Sequence, residues 1–276
     1  MDYKKTIAAL AVAATTAAMA EGIVSSSVVG YQNKGFENSG YSIVANTFLP
    51  VGGTAEGMTL GDIKVNDDFV ASKLVFMTTG GANEKTTFKG KTVNKEYVYW
   101  FEEDEPEEGA GWYLNADGDG EVNCNSVSLP LGDGILVSRT GSEVDAQLVY
   151  AGEVYTQPVT KGFANSGYTP VGNCCPMTIK LGDITVNEDF VASKIVFMTT
   201  GGANEKTTFK GKTVNKEFVY WLEEDEPEEG AGWYLNADGD GETNYNDLIE
   251  FGAGEGFLVS RTGSEADATV TLPSAL

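Results

Sequence analysis

Five oxygen-bearing side chains between Asn236 and Asp247 stand at the spacing of a calcium loop. With Asn236 as position 1, Asp238, Asp240, Asn244 and Asp247 fall at positions 3, 5, 9 and 12. Glu242 at position 7 offers a backbone carbonyl, and Gly241 at position 6 sits where such a loop turns sharply. Hard carboxylate and amide oxygens at this spacing suit Ca2+, which takes roughly six to eight of them. An earlier segment carries Asn115, Asp117, Asp119, Gly120, Glu121 and Asn123, but Ser126 at its position 12. A neutral hydroxyl there predicts weaker binding by the earlier loop. The competing expectation is a polar hairpin turn, because Asp-Gly pairs form tight turns readily.

The two loops belong to a larger repetition. Val65 to Glu121 returns as Val186 to Glu242, 57 residues with four changes: Asp67 to Glu188, Leu74 to Ile195, Tyr97 to Phe218 and Phe101 to Leu222. Each change keeps charge or apolar character. Lys34-Gly35-Phe36 and Gly134 recur as Lys161-Gly162-Phe163 and Gly256. Each unit is about 120 residues, enough to bury its own core.

Other chemistry-bearing segments favour bland readings. Glu102 to Glu108 holds six carboxylates in seven residues and recurs as Glu223 to Glu229, a solvated loop. Lys85, Lys89, Lys91 and Lys95 recur as Lys206, Lys210, Lys212 and Lys216. If the basic segment and an acidic loop lie at opposite ends, units can join head to tail; if adjacent, they neutralise each other. Trp100, Trp112, Trp221 and Trp233 could stack on sugar rings, although core packing is the expected role for most. The chain has no His, so His-dependent triads and His-ligated metals are absent. Gly90-Lys91-Thr92 lacks the earlier glycine of a phosphate-binding loop, which would fall at Lys85. No carboxylate pair stands out for glycoside cleavage. A non-enzymatic protein is expected.

Strand signals dominate. Val70 to Thr79 is β-branched and apolar and ends in Gly80-Gly81; Tyr97 to Phe101 is a compact aromatic strand. Trp112 to Leu114, Gly134 to Ser138 and Ala146 to Tyr150 follow, with turn residues between them. The pattern predicts an all-β chain of two tandem, near-identical antiparallel sandwich or barrel-like domains. Their expected limits are 21–153 and 154–276, with 151–160 as the junction. Residues 1–20 read as a secretory signal: Lys4 and Lys5, an apolar stretch from Ile7 to Ala18, then Ala18-Met19-Ala20. That stretch is too short to span a bilayer, and no later segment is long and apolar enough to insert in a membrane. The expected location is secreted, at the cell surface, extracellular or periplasmic. Losing the leader takes the net charge from −23 to −24, which disfavours nucleic acid and anionic lipid. Glu21 to Gln32 reads as the first strand of unit one or as a strand donated to a neighbouring molecule.

Cys124, Cys174 and Cys175 have no Cys at the equivalent repeat positions. A bond from Cys124 to either of the others would staple the two units, leaving one spare thiol.

Two resemblances bear on these expectations. The Asn236–Asp247 loop resembles the calcium loop of dockerins and, more loosely, of EF-hands. It departs in having Asn at position 1, Asp rather than Glu at position 12, and strands at its flanks. The leader followed by SSSVVGYQNKGF, a Gly-Trp-Tyr strand, an acidic turn and GEGFLV resembles a group of uncharacterised secreted bacterial β-rich proteins. That resemblance implies a secreted β fold and no activity. The leading expectation is a structural or surface component that self-associates as a homo-oligomer or filament. The alternative is a tandem glycan-binding or adhesive module, with Ca2+ as a possible dependence.

Overall fold

The computed structural model describes residues 28–36, 40–51, 57–76, 84–102, 106, 108–139, 146–163, 167–198, 205–223, 229–261 and 268–274. The expected leader and Glu21 to Ser27 lie outside these. The chain is all-β, with antiparallel sheets and short 3-10 turns. Among the described residues no helix is long and apolar enough to cross a membrane.

The first half builds a five-stranded sheet in the order Gly111–Leu114, Glu96–Trp100, Ser72–Val75, Gly134–Arg139, Gly40–Ala45. The second half repeats that order as Gly232–Leu235, Glu217–Trp221, Ser193–Val196, Gly256–Arg261, Gly167–Gly172. A second sheet faces the five-stranded one in each half, and two-stranded pairings lie beside them. In the first, Val29–Phe36 pairs with Ala146–Val154 over eight residues, and Phe48–Leu49 and Lys64–Val65 also pair with Ala146–Val154. In the second, Val159–Phe163 and Thr185–Val186 flank Ala268–Leu272. The segment Val29 to Gln32 is therefore paired within its own chain, at a sheet edge.

Each core lies between its two sheets. In the first half Phe36, Ala146, Leu148 and Tyr150 from one sheet meet Val44, Leu74, Tyr97, Trp112, Ile135 and Val137 from the other. Trp112 and Trp233 are fully buried, each edge-on to a phenylalanine, Phe69 and Phe190, at 5.8 Å. The indole N–H of Trp233 donates to the Ile184 carbonyl at 3.3 Å, so its one polar atom is satisfied. Core packing is thus the role of these two tryptophans.

The five-stranded sheets are buried on both faces, because they pack on each other. Ile43, Val75 and Leu136 from the first half form one apolar cluster with Val196 and Leu258 from the second. Around it the contacts are reciprocal. Lys34 pairs with Glu255 at 2.9 Å, and the equivalent Lys161 pairs with Asp133. Ala45 N–H donates to the Gly254 carbonyl at 3.0 Å, and Gly172 N–H to the Gly132 carbonyl at 3.1 Å. Isolated bridges join Val44 to Glu255 and Val171 to Asp133. These contacts from first half to second have counterparts from second to first, the signature of an approximate two-fold relationship, although the Gln32 side chain donates to the Ala253 carbonyl where the second half has Val159.

The cysteines carry no disulfide. Cys174 and Cys175 are buried in the second core, while Cys124 packs on the first, so no bond staples the halves.

Candidate functional site

Each acidic turn hangs from the end of a Gly-Trp-Tyr-Leu strand. After Gly111–Leu114 the chain reverses at Asn115-Ala116, and Asp117 N–H donates to the Leu114 carbonyl at 2.8 Å. Asp117 then folds inward, only 2 % exposed, and its Oδ2 accepts the Val122 N–H at 2.9 Å. Gly120, at φ 62°, supplies the left-handed residue that closes the turn. The second copy is alike: Asp238 is 1 % exposed, and its Oδ2 accepts the N–H groups of Glu242 at 3.0 Å and Thr243 at 3.1 Å. One carboxylate oxygen thus organises each turn. The other, Oδ1 of Asp117 and of Asp238, is buried without a hydrogen-bond partner.

A lysine from the neighbouring hairpin reaches this turn. Lys85–Phe88 and Lys91–Asn94 are joined at Lys89-Gly90, both in the left-handed region at φ 47° and 76°. That geometry matches the right-handed twist of a two-residue hairpin. Lys89 Nζ lies 2.7 Å from Glu121 Oε2. In the second copy Lys210 Nζ lies 3.0 Å from Glu242 Oε2 and 3.9 Å from Asp240 Oδ2. The hydrogen bond to Glu121, and the nearby charges of Glu121, Asp117 and Asp119, hold the Lys89 pKa above its ordinary value. Glu242, Asp240 and Asp238 do the same to Lys210. An ammonium therefore sits against the acidic turn in each half, in contact with Glu121 in the first and with Glu242 and Asp240 in the second. The basic hairpin and this acidic turn are neighbours and neutralise each other; most of the acidic loop Glu102 to Glu108, and of its copy Glu223 to Glu229, lies outside the described residues.

Of the candidate ligands, Asp238, Asp240 and Glu242 converge on this turn, as do Asp117, Asp119 and Glu121. The others are engaged elsewhere. Asn115 and Asn236 donate to Glu96 and Glu217 at 3.1 and 3.2 Å. The Asn244 side chain accepts from Asn246 N–H at 2.9 Å. Asp247 is paired with Lys180 at 2.7 Å on the surface. Position 12 is therefore not part of the turn's carboxylate group. Among the described residues no cluster of three or more His, Cys, Asp or Glu is placed to hold a metal ion as the side chains stand.

Sequence reasoning passed over Glu96 and Glu217. Each is 7 % exposed and receives a lysine, Lys73 or Lys194, at 2.9 Å. Burial alone would raise their pKa values; the lysine and two asparagine side chains outweigh it and hold both below the ordinary 4.5. This arrangement fastens the turn to the sheet through Asn115 and Asn236. The signal was present as Lys73 and Glu96, but only the strand pairing brings them together.

A cleft of about 610 Å³ opens between the halves, lined by Lys34, Ile43, Phe197, Met198, Lys216 and Glu255 among others. Its lysines already pair, Lys34 with Glu255 and Lys216 with Glu205 at 3.0 Å. No protein family, curated protein or solved structure matches the chain.

Proposed function

We propose that this is a secreted, non-enzymatic structural protein that assembles with copies of itself. The observation that carries the reading is the edge strand Val29–Phe36. Among the described residues it is paired on one side only, and its outward residues Val29 and Tyr31 are 60 and 67 % exposed, beside Val28 at 65 %. An apolar, one-side-paired edge is a template for another chain unless it is blunted. In the second half the places of Val29 and Tyr31 fall to Thr156 and Pro158, ahead of the strand Val159–Phe163, so the apolar edge is particular to the first half. Sedimentation and electron microscopy of the purified chain test the reading. Large assemblies that Tyr31→Lys disperses are the expected result. A monomer at every concentration that binds a glycan array would replace it with the adhesive reading.

A second reading, calcium dependence, is favoured by the buried, partnerless Oδ1 of Asp117 and Asp238. A buried carboxylate oxygen without a donor is costly, and a cation or an ordered water relieves it. For Ca2+ to enter, the lysine ammonium must swing away, leaving Asp238, Asp240 and Glu242 oxygens to share the ion. Because position 12 is turned elsewhere in the second loop, the two turns should bind alike. That replaces the expectation of a weaker first loop.

A further inference from the structure

We infer that the face joining the two halves of one chain also joins different chains, by exchange of halves. The inference rests on the self-assembly reading and supplies it with a second contact, distinct from the edge strand. Its basis is the reciprocity of the interface. Lys34 and Lys161, Asp133 and Glu255, Val44 and Val171, Val75 and Val196, and Leu136 and Leu258 occupy equivalent places on the two halves. The second half of any chain therefore offers a neighbouring first half the surface it offers its own. No new contact is needed: the same apolar cluster and the same two ion pairs form whichever chain supplies the halves.

What favours the intrachain pairing is the connection, Tyr155 to Pro158, between Val154 and Val159. A short tether acts as an effective concentration on the order of millimolar. Dilute chains close on themselves. Chains crowded to that concentration exchange halves, as closed dimers or, when the rotation does not close, as open strings.

The experiment uses two full-length variants. One carries Lys34→Glu with Lys161→Glu; the other carries Asp133→Lys with Glu255→Lys. In either alone, both cross-half pairs bear like charges. When the two chains exchange halves, all four pairs become opposite. The variants are labelled as donor and acceptor, unfolded together and refolded. Energy transfer about tenfold above that of either variant with itself, from four exposed pairs reversed in sign, is expected. A one-to-one species of twice the chain mass should accompany it. Absence of transfer, while near-ultraviolet dichroism of the buried tryptophans shows both variants folded, overturns the inference.

Wild-type chains labelled in two colours and refolded together keep the test open if the variants do not fold. Transfer that grows with concentration and survives Tyr31→Lys supports exchange, and none at millimolar chain overturns it. Assemblies that depend on Tyr31 with no exchange would sink this inference and leave the assembly reading standing. Exchange without larger assemblies would support this inference and sink the edge-strand contact proposed above.

Discussion

Ala45 and Gly172 meet where the halves cross, so closely that a Cβ built on Gly172 would lie 1.9 Å from that of Ala45. Both belong to the inner edge strands of the five-stranded sheets, at equivalent places in the two halves. The glycine is there for space, since its backbone is not left-handed. Gly172→Val should cost about 1–3 kcal/mol by overpacking. Adding Ala45→Gly should return part of that loss, a coupling measurable by a double-mutant cycle in denaturant. Additive effects would mean that the halves do not approach here.

Calcium should raise the melting temperature through linkage if the turns take it. The double variant Asp117→Asn with Asp238→Asn should abolish the shift. Lys89→Met with Lys210→Met should strengthen binding, because the resident ammonium competes for the same carboxylates. Removing that competitor should tighten the affinity by about tenfold, the scale of one unit charge at about 4 Å screened largely by water. Titration calorimetry reads both effects. A calcium response unchanged by Asp117→Asn with Asp238→Asn would place the ion elsewhere.

Acid stability should report Glu96 and Glu217. Both are held below 4.5 in the folded chain, despite burial, by Lys73 or Lys194 and by asparagine hydrogen bonds. A lowered folded pKa gives stability that is fully present above the unfolded value and lost as pH falls through the folded one. The melting temperature should therefore drop on acidification below pH about 4.5. Glu96→Gln with Glu217→Gln should lower stability at pH 7 by about 1–3 kcal/mol per site and flatten the acid slope. An equally steep slope in that variant would assign the acid sensitivity to other carboxylates.

The strands Ser72–Val75 and Glu96–Trp100 were legible within the β-branched and aromatic runs Val70 to Thr79 and Tyr97 to Phe101, although Val70 and Ala71 close a 3-10 turn and residues 77–81 lie outside the described residues. Their two-sided burial was not. Leu74 faces its own core and Val75 the other half, and an unalternating apolar run does not say what covers its second face. The acidic turn could be read from Asn-Ala-Asp-Gly-Asp-Gly, since Asp and Gly carry local turn chemistry. Its ligand set could not. Asp247 has the spacing of a twelfth ligand, but Lys180 arrives from the far strand Ile179–Lys180 and takes it. Spacing encodes reach within a loop and is silent about competitors brought by the sheet.

The thiols give a probe of the second half alone. Cys174 and Cys175 are 3 and 2 % exposed in its core, whereas Cys124 is half-buried on the first. Desolvation, the largest influence, pushes the Cys174 thiol up to about 12 from 9.0. At fixed pH that lowers its thiolate, the reactive form, by about a thousandfold, before any steric shielding. Under reducing conditions an alkylating reagent should modify Cys124 first in the native chain. Cys174 should follow only as the second half opens, so its labelling rate in rising denaturant should track that half's unfolding. Mass spectrometry of the peptides separates the sites. Native-state labelling of Cys174 as fast as that of Cys124 would mean that the second core is open to solvent at this position.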